Sequence, residues 1–127
     1  MSFSFDPTEG LIIVNVRFWG PAGMSYARLA LDTGATGTMF NTAKLVYAGY
    51  DPAAAEERVR VTTGSGIEYA PRLSISQIEA LGQHRKSLPV LAHTLPPSAS
   101  VDGLLGLDFF RGHRLEIDFQ EGRIVLD

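Results

Sequence analysis

The feature that most constrains this chain is a period-two alternation of apolar and polar residues that returns along its length, cut at short intervals by glycine. Between Leu11 and Phe18, the residues Ile12, Val14, Val16 and Phe18 share one face, and Ile13, Asn15 and Arg17 the other. That is the pattern of a half-buried strand. The turn Gly20-Pro21-Ala22-Gly23 leads into a second strand, Met24 to Leu31, so the two read as a hairpin. Thr38-Met39-Phe40 is a short strand. Arg58 to Thr63 alternates again, with Val59 and Val61 opposite Arg58 and Arg60. Gly64-Ser65-Gly66 forms a glycine-rich tip, and Ile67 to Ile78 returns from it. Gly82 to Lys86 reads as a polar turn, Leu88 to Ala92 as a strand and Thr94 to Ser100 as a loop. Val101 to Leu105 is a buried strand. Leu115 to Phe119, the turn Gln120-Glu121-Gly122 and Arg123 to Leu126 make a terminal hairpin. Helical signals are short: Asn41 as N-cap, Thr42 to Ala48 and Gly49 as stop, then Leu107 to Arg111 ended by Gly112. Ala53 to Glu57 could add one helical turn. The expectation is a mostly-β domain with a small closed or barrel-like sheet and one or two short helices.

At 127 residues the chain reads as one domain spanning 1–127, long enough for a single core. A net charge of −3 without any Lys/Arg run argues against a nucleic-acid partner. The absence of cysteine excludes disulfides, thiolate metal sites and a cysteine nucleophile, and fits a reducing compartment. Met1 to Pro7 lacks the basic-then-apolar order of a signal peptide. The longest apolar run, Leu11 to Val14, is too short to span a bilayer. A cytoplasmic protein with no membrane partner is the resulting expectation. His84, His93 and His113 lack the helical i, i+4 spacing of a metal pair, and His84 reads as solvated in a polar turn beside Arg85 and Lys86. No Gly-x-Ser-x-Gly elbow is present. Gly64-Ser65-Gly66 is no phosphate loop, because neither a helix start nor a Lys-Ser/Thr pair follows it. No metal or organic cofactor is expected.

One stretch breaks the ordinary pattern. Leu29-Ala30-Leu31 runs straight into Asp32-Thr33-Gly34-Ala35-Thr36. A carboxylate at the end of an apolar strand, followed by a glycine that lets the backbone turn, is an acid held in a semi-buried loop. Such acids are functional-site candidates. The tripeptide by itself is equally ordinary strand-to-turn chemistry. Later in the chain comes Val101-Asp102-Gly103-Leu104-Leu105-Gly106-Leu107-Asp108-Phe109-Phe110. The two motifs in this order resemble the retropepsin-like aspartic proteases, which include retroviral proteases, DNA-damage-inducible proteins of eukaryotes and bacterial single-domain relatives. The resemblance covers roughly residues 10 to 127. It implies that Asp32 is the catalytic aspartate within an Asp32-Thr33-Gly34 loop, that Leu104-Leu105-Gly106 packs beneath that loop, and that the hairpin tipped by Gly64, Ser65 and Gly66 is a flap closing over bound peptide.

Aspartic proteolysis needs two neighbouring carboxylates that share one proton, one acting as base on water and the other as acid toward the scissile carbonyl. This chain has a single Asp-Thr-Gly. A two-fold dimer would set Asp32 beside its copy, with Thr33 bonding across the axis and Gly34 contributing a backbone contact near substrate, by analogy with the family. Asp102 and Asp108 are the intrachain alternatives. Asp102 reads better as a turn residue, and Asp108 as a first-turn charge suited to a helix dipole. Ala35 follows the retroviral pattern, whereas Thr36 departs from the Asp common there. The expected function is a homodimeric aspartic endopeptidase acting on extended peptide or protein substrates. The alternatives are a non-catalytic barrel that binds without cleaving, or a processing domain of a larger protein.

Overall fold

The computed structural model describes the backbone of residues 1–127 and every side chain except that of Thr63. The first hairpin is β2 (Ile13–Gly20) and β3 (Gly23–Leu31), joined through Pro21 and Ala22. It is preceded by a short strand, β1 (Ser2–Ser4). After β3 come β4 (Met39–Asn41), helix α1 (Thr42–Tyr47) and a 3₁₀ turn at Pro52–Ala54. The second hairpin is β5 (Glu57–Thr63) and the long β6 (Gly66–Ala80), followed by β7 (Gln83–His93). β8 (Gly103–Leu105) leads into helix α2 (Leu107–Phe110), and β9 (Leu115–Asp118) and β10 (Arg123–Leu126) finish the chain.

Strands β2, β3, β8, β4, β7 and β6 pair in that order, and β6 pairs back to β2, so the sheet closes into a barrel. β5 lies outside the closure, held by the first half of β6. The expected closed β architecture with two short helices is what the chain adopts. Phe18, Leu29, Phe40, Leu45, Ile75, Ile78, Leu105 and Phe109 are fully buried inside it. A separate three-stranded sheet, β1-β10-β9, covers one end, with Phe3, Phe5 and Leu115 packed against the same core as Ile124 and Leu126. Among the described residues no helix is long and apolar enough to cross a membrane.

Several boundaries differ from the sequence reading. Gly82 to Lys86 is not a loop: the turn is only Leu81 and Gly82, at φ +52° and +75°, and Gln83 to Lys86 already belong to β7. Two positive φ values match the twist of a tight hairpin, but a buried leucine at such an angle carries no turn signal. His84 therefore sits on a strand, 3.0 Å from the Glu79 carboxylate and 3.3 Å from Gln77, not in a solvated turn. The helical turn expected over Ala53 to Glu57 begins instead at Pro52, whose fixed φ suits a first helical position, and Glu57 opens β5. Phe119 falls in the turn after β9, where Asp118 Oδ1 accepts the N–H groups of Gln120 and Glu121. β1 is not among the strands read from the sequence, although Ser2 and Ser4 alternate there with Phe3 and Phe5, which pack against the core.

The seam that closes the barrel has its own device. On β6 and β7 the buried residues change phase: Ile75 and Ile78 both face the core, as do Leu88 and Val90 but not Lys86. The ladder is interrupted where Ser76 lies opposite Ser87, which has φ +54°. There the Tyr50 hydroxyl accepts the Ser76 N–H at 2.9 Å and donates to the Trp19 carbonyl, bridging β6 to β2. Tyr50→Phe takes away the acceptor of the Ser76 N–H, while the Trp19 carbonyl keeps the Ser76 hydroxyl at 2.9 Å. Unfolding in denaturant should show a loss of about 1–3 kcal/mol, and a loss below a few tenths would mean that water replaces the hydroxyl. Nearby, Arg17 hydrogen-bonds Glu79 across the same seam and holds its carboxyl below the usual range.

Candidate active site

β8 is inserted between two strands distant from it in sequence. Leu29, Ala30 and Leu31 of β3 run parallel to Gly103, Leu104 and Leu105, while Met39 and Phe40 of β4 pair antiparallel on the other side. Gly103 makes the insertion possible. It has φ +153°, and a Cβ there would stand 1.9 Å from the Met39 carbonyl oxygen. Gly103→Ala combines backbone strain with overpacking, so a cost of about 2–5 kcal/mol is expected in denaturant unfolding. A stability unchanged by Ala would mean that β4 can draw back from β8.

The Asp32 loop hangs from this insertion. Asp32 N–H donates to the Leu105 carbonyl at 3.0 Å, and Leu107 N–H donates to the Ala35 carbonyl at 2.8 Å. Within the loop, Ala35 N–H donates to the Asp32 carbonyl, and Gly34 N–H donates to Asp32 Oδ1 at 2.8 Å. Gly106 lies directly beneath: a Cβ on it would come within 2.6 Å of the Gly37 carbonyl oxygen. The Leu104-Leu105-Gly106 segment thus underlies the loop. Asp32 is half-buried, while Thr33 and Gly34 are exposed. Among the described residues, the Asp32 carboxylate has one hydrogen-bond partner, the Gly34 amide.

The two alternative carboxylates are occupied elsewhere. Asp102 lies in the bend just before β8 and also ties strands together: its Oδ2 accepts the Arg28 N–H at 2.8 Å, its own N–H donates to the Arg28 carbonyl, and its carbonyl accepts the Asn41 N–H. Asp108 does lie in the first turn of α2, but both of its oxygens accept from Thr38, the hydroxyl at 2.7 Å and the amide at 3.0 Å. A family model described as aspartyl protease matches residues 14–109. The chain belongs to the aspartyl protease family.

Within that family its fold is retropepsin-like. The chain is similar to a retropepsin-like aspartic protease from Rickettsia conorii, with a TM-score of 0.74 and 16% identity over 99% of this chain and 88% of that one. It is also similar to the EIAV protease complexed with the inhibitor HBY-793, with a TM-score of 0.59 and 19% identity over 82% of this chain and 88% of that one. A search of curated proteins by sequence returns no match.

In this aspartyl protease chain, a row of apolar side chains adjoins the loop, and the motifs do not reveal it. Ala30, Leu104, Met39 and Leu91 are cross-strand neighbours on β3, β8, β4 and β7. Their chain neighbours Leu29, Leu105, Phe40 and Ala92 point into the core, so the row occupies the opposite face. Leu104, Met39 and Leu91 are only half-buried. The one signal for it in the sequence is that apolar residues occupy both faces of these strands. Gly64 and Ser65 form the exposed turn between β5 and β6, Gly66 opens β6, and a Cβ on either glycine would meet open space. A surface groove of about 680 Å³ lies elsewhere, against the terminal sheet between Ser2, Glu116, Phe119 and Arg123. It does not contain the Asp32 loop. Among the described residues no cluster of three or more His, Asp or Glu side chains could hold a metal ion.

Proposed function

We propose that residues 1–127 form one catalytic domain that works as a homodimeric aspartic endopeptidase, with Asp32 as the catalytic carboxylate of each subunit. The observation that carries this reading is the Asp32 loop itself: a half-buried carboxylate, oriented by Gly34, with no second carboxylate bonded to it among the described residues. Half of an acid–base pair is present, and a two-fold axis supplies the other half. The two Asp32 side chains share one proton, because like charges so close cannot both ionise easily. The ionised member takes a proton from water as the water oxygen attacks the scissile carbonyl. The protonated member gives its proton to the carbonyl oxygen. Collapse of the resulting diol breaks the C–N bond, and a proton goes to the leaving nitrogen. Loss of either the shared proton or the remaining charge stops the cycle, so the rate should peak between an acidic and a basic limb. Thr33 braces the pair across the axis and Gly34 meets the substrate backbone.

The row Ala30, Leu104, Met39 and Leu91 provides an apolar wall for substrate side chains beside Asp32. The direct test is cleavage of a mixed peptide pool, with new termini read by mass spectrometry. Cuts flanked by large apolar residues are expected. An intact pool at every pH between about 3 and 8 would leave the barrel as a binding module.

In this reading the Gly64-Ser65-Gly66 hairpin closes over the bound peptide. Lids are drawn from the low-stability end of a fold. Amide exchange at Gly64 to Ile67 should slow by at least about tenfold when a non-cleavable peptide analogue binds. Equal exchange with and without the analogue would make the hairpin merely structural.

A further inference from the structure

Thr38 and Asp108 stand behind the Asp32 loop; the Thr38 carbonyl accepts the Leu91 N–H of β7 at 3.1 Å, which leaves its amide and hydroxyl for other bonds. Thr38 is fully buried, and Asp108 is half-buried on α2. The Thr38 hydroxyl is used in both directions. It accepts the Gly106 N–H at 3.2 Å and donates to Asp108 Oδ1 at 2.7 Å, while the Thr38 amide donates to Asp108 Oδ2 at 3.0 Å. The direction is dictated by chemistry: an amide can only donate, so the hydroxyl proton must point away from Gly106 and toward the carboxylate. Leu105, Gly106, Leu107 and Asp108 are consecutive, and each grips the segment Asp32 to Thr38. Leu105 takes the Asp32 amide, Leu107 gives its amide to Ala35, and Gly106 and Asp108 share Thr38. The loop is therefore bonded at its entry, its middle and its exit to one rigid turn between β8 and α2.

We propose that Asp108, acting through Thr38, is a positioning residue for the catalytic loop: it fixes the exit of the loop so that the Asp32 carboxylate meets its copy at the correct angle. It is not itself part of the acid–base pair, since both of its oxygens are committed to Thr38. This inference rests on the reading of Asp32 given above. A charge-assisted pair of bonds is stronger than a neutral one, which suits a clamp that must not yield when the dimer forms. Small displacements of reacting groups have large kinetic consequences even when the fold is unchanged.

The test uses the whole chain, with Thr38→Val, Thr38→Ser and Asp108→Asn. Thr38→Val removes the hydroxyl at similar volume, and Thr38→Ser keeps both of its hydrogen bonds. For Thr38→Val, kcat per titrated active site should fall by about 10–100-fold while KM changes by less than about threefold. Thr38→Ser should restore kcat to near the wild-type value. A second readout is the amide resonance of Gly34, which reports the bond to Asp32 Oδ1. Positioning predicts that Thr38→Val moves both the Gly106 and the Gly34 resonances. A merely structural contact moves Gly106 alone, leaves kcat per site unchanged and overturns the proposal. Should Thr38→Val not fold, Asp108→Asn, which replaces one acceptor with a donor, is read in the same two ways. If Asp32→Asn retained activity, the reading of Asp32 would fail instead. If Asp32→Asn is inactive while Thr38→Val and Asp108→Asn keep full kcat and an unmoved Gly34 resonance, only the positioning role fails. In a chain without measurable hydrolysis the Gly34 resonance alone decides.

Discussion

Asp32→Asn should reduce kcat/KM for peptide cleavage by at least about 10³-fold, because it removes the acid–base group from both halves of the pair at once. The substitution is nearly isosteric. Its side-chain oxygen can still accept the Gly34 N–H that now reaches Asp32 Oδ1 at 2.8 Å, and the backbone bonds to Leu105 and Ala35 are untouched. The carboxylate's hydrogen bond stays within its own loop, so the barrel should survive. In the proposed dimer the variant would also replace two like carboxylates with neutral amides, so association should be no weaker. The measurement is kcat/KM on an identified peptide beside the thermal midpoint of both proteins. Turnover close to the wild-type rate in a folded Asp32→Asn protein would remove Asp32 from the mechanism.

Activity per subunit should collapse on dilution. One chain carries one Asp-Thr-Gly loop, and its other candidates, Asp102 and Asp108, are bound to Arg28 and Thr38. Below the dimer dissociation constant the active species is a pair drawn from monomers, so the rate should scale with the square of total protein, and each tenfold dilution should cost about tenfold in specific activity. Sedimentation over the same concentration range gives the monomer fraction independently, and the two curves should coincide. Specific activity that stays constant into the monomer range would require a catalytic partner within the chain. Mixing wild-type with an excess of Asp32→Asn chains sharpens the test: heterodimers form, carry one carboxylate, and should drain activity from the wild-type pool.

Much of the candidate site is legible in the amino-acid sequence. Asp32-Thr33-Gly34 stands out because an apolar strand ends on a charge. Leu104-Leu105-Gly106 stands out because two apolar residues and a glycine open a helix. Their partnership follows a family pattern, and the geometry supports it physically: Gly106 lacks the Cβ that would collide with Gly37, so the two segments can touch. The features that local pattern misplaces share a cause. Leu81 shares its two-residue turn with Gly82, and of the two only the glycine signals a turn; the pairing of β6 with β7 and the burial of its side chain hold Leu81 at a positive φ. His84 is exposed, as its polar neighbours suggest, but on a strand and not in a turn: in β7, His84 and Lys86 are the exposed positions that alternate with the half-buried Gln83 and Arg85.

The sequence by itself determined the β character of the chain, the hairpins at Pro21-Ala22 and at Gly64-Ser65, the two short helices and the acid at the end of a strand. These follow from period, turn chemistry and local conflict, all of which act over a few residues. Only the tertiary structure decided that β8 slides between β3 and β4, that Leu104, Met39 and Leu91 line up across β8, β4 and β7, that Tyr50 bridges β6 to β2 and that Asp108 grips Thr38. Alternation tells a strand which face to bury, but not which strand will lie beside it. That choice depends on the simultaneous fit of segments far apart in the chain, here on whether the missing Cβ of Gly103 lets β8 pass under the carbonyl of Met39.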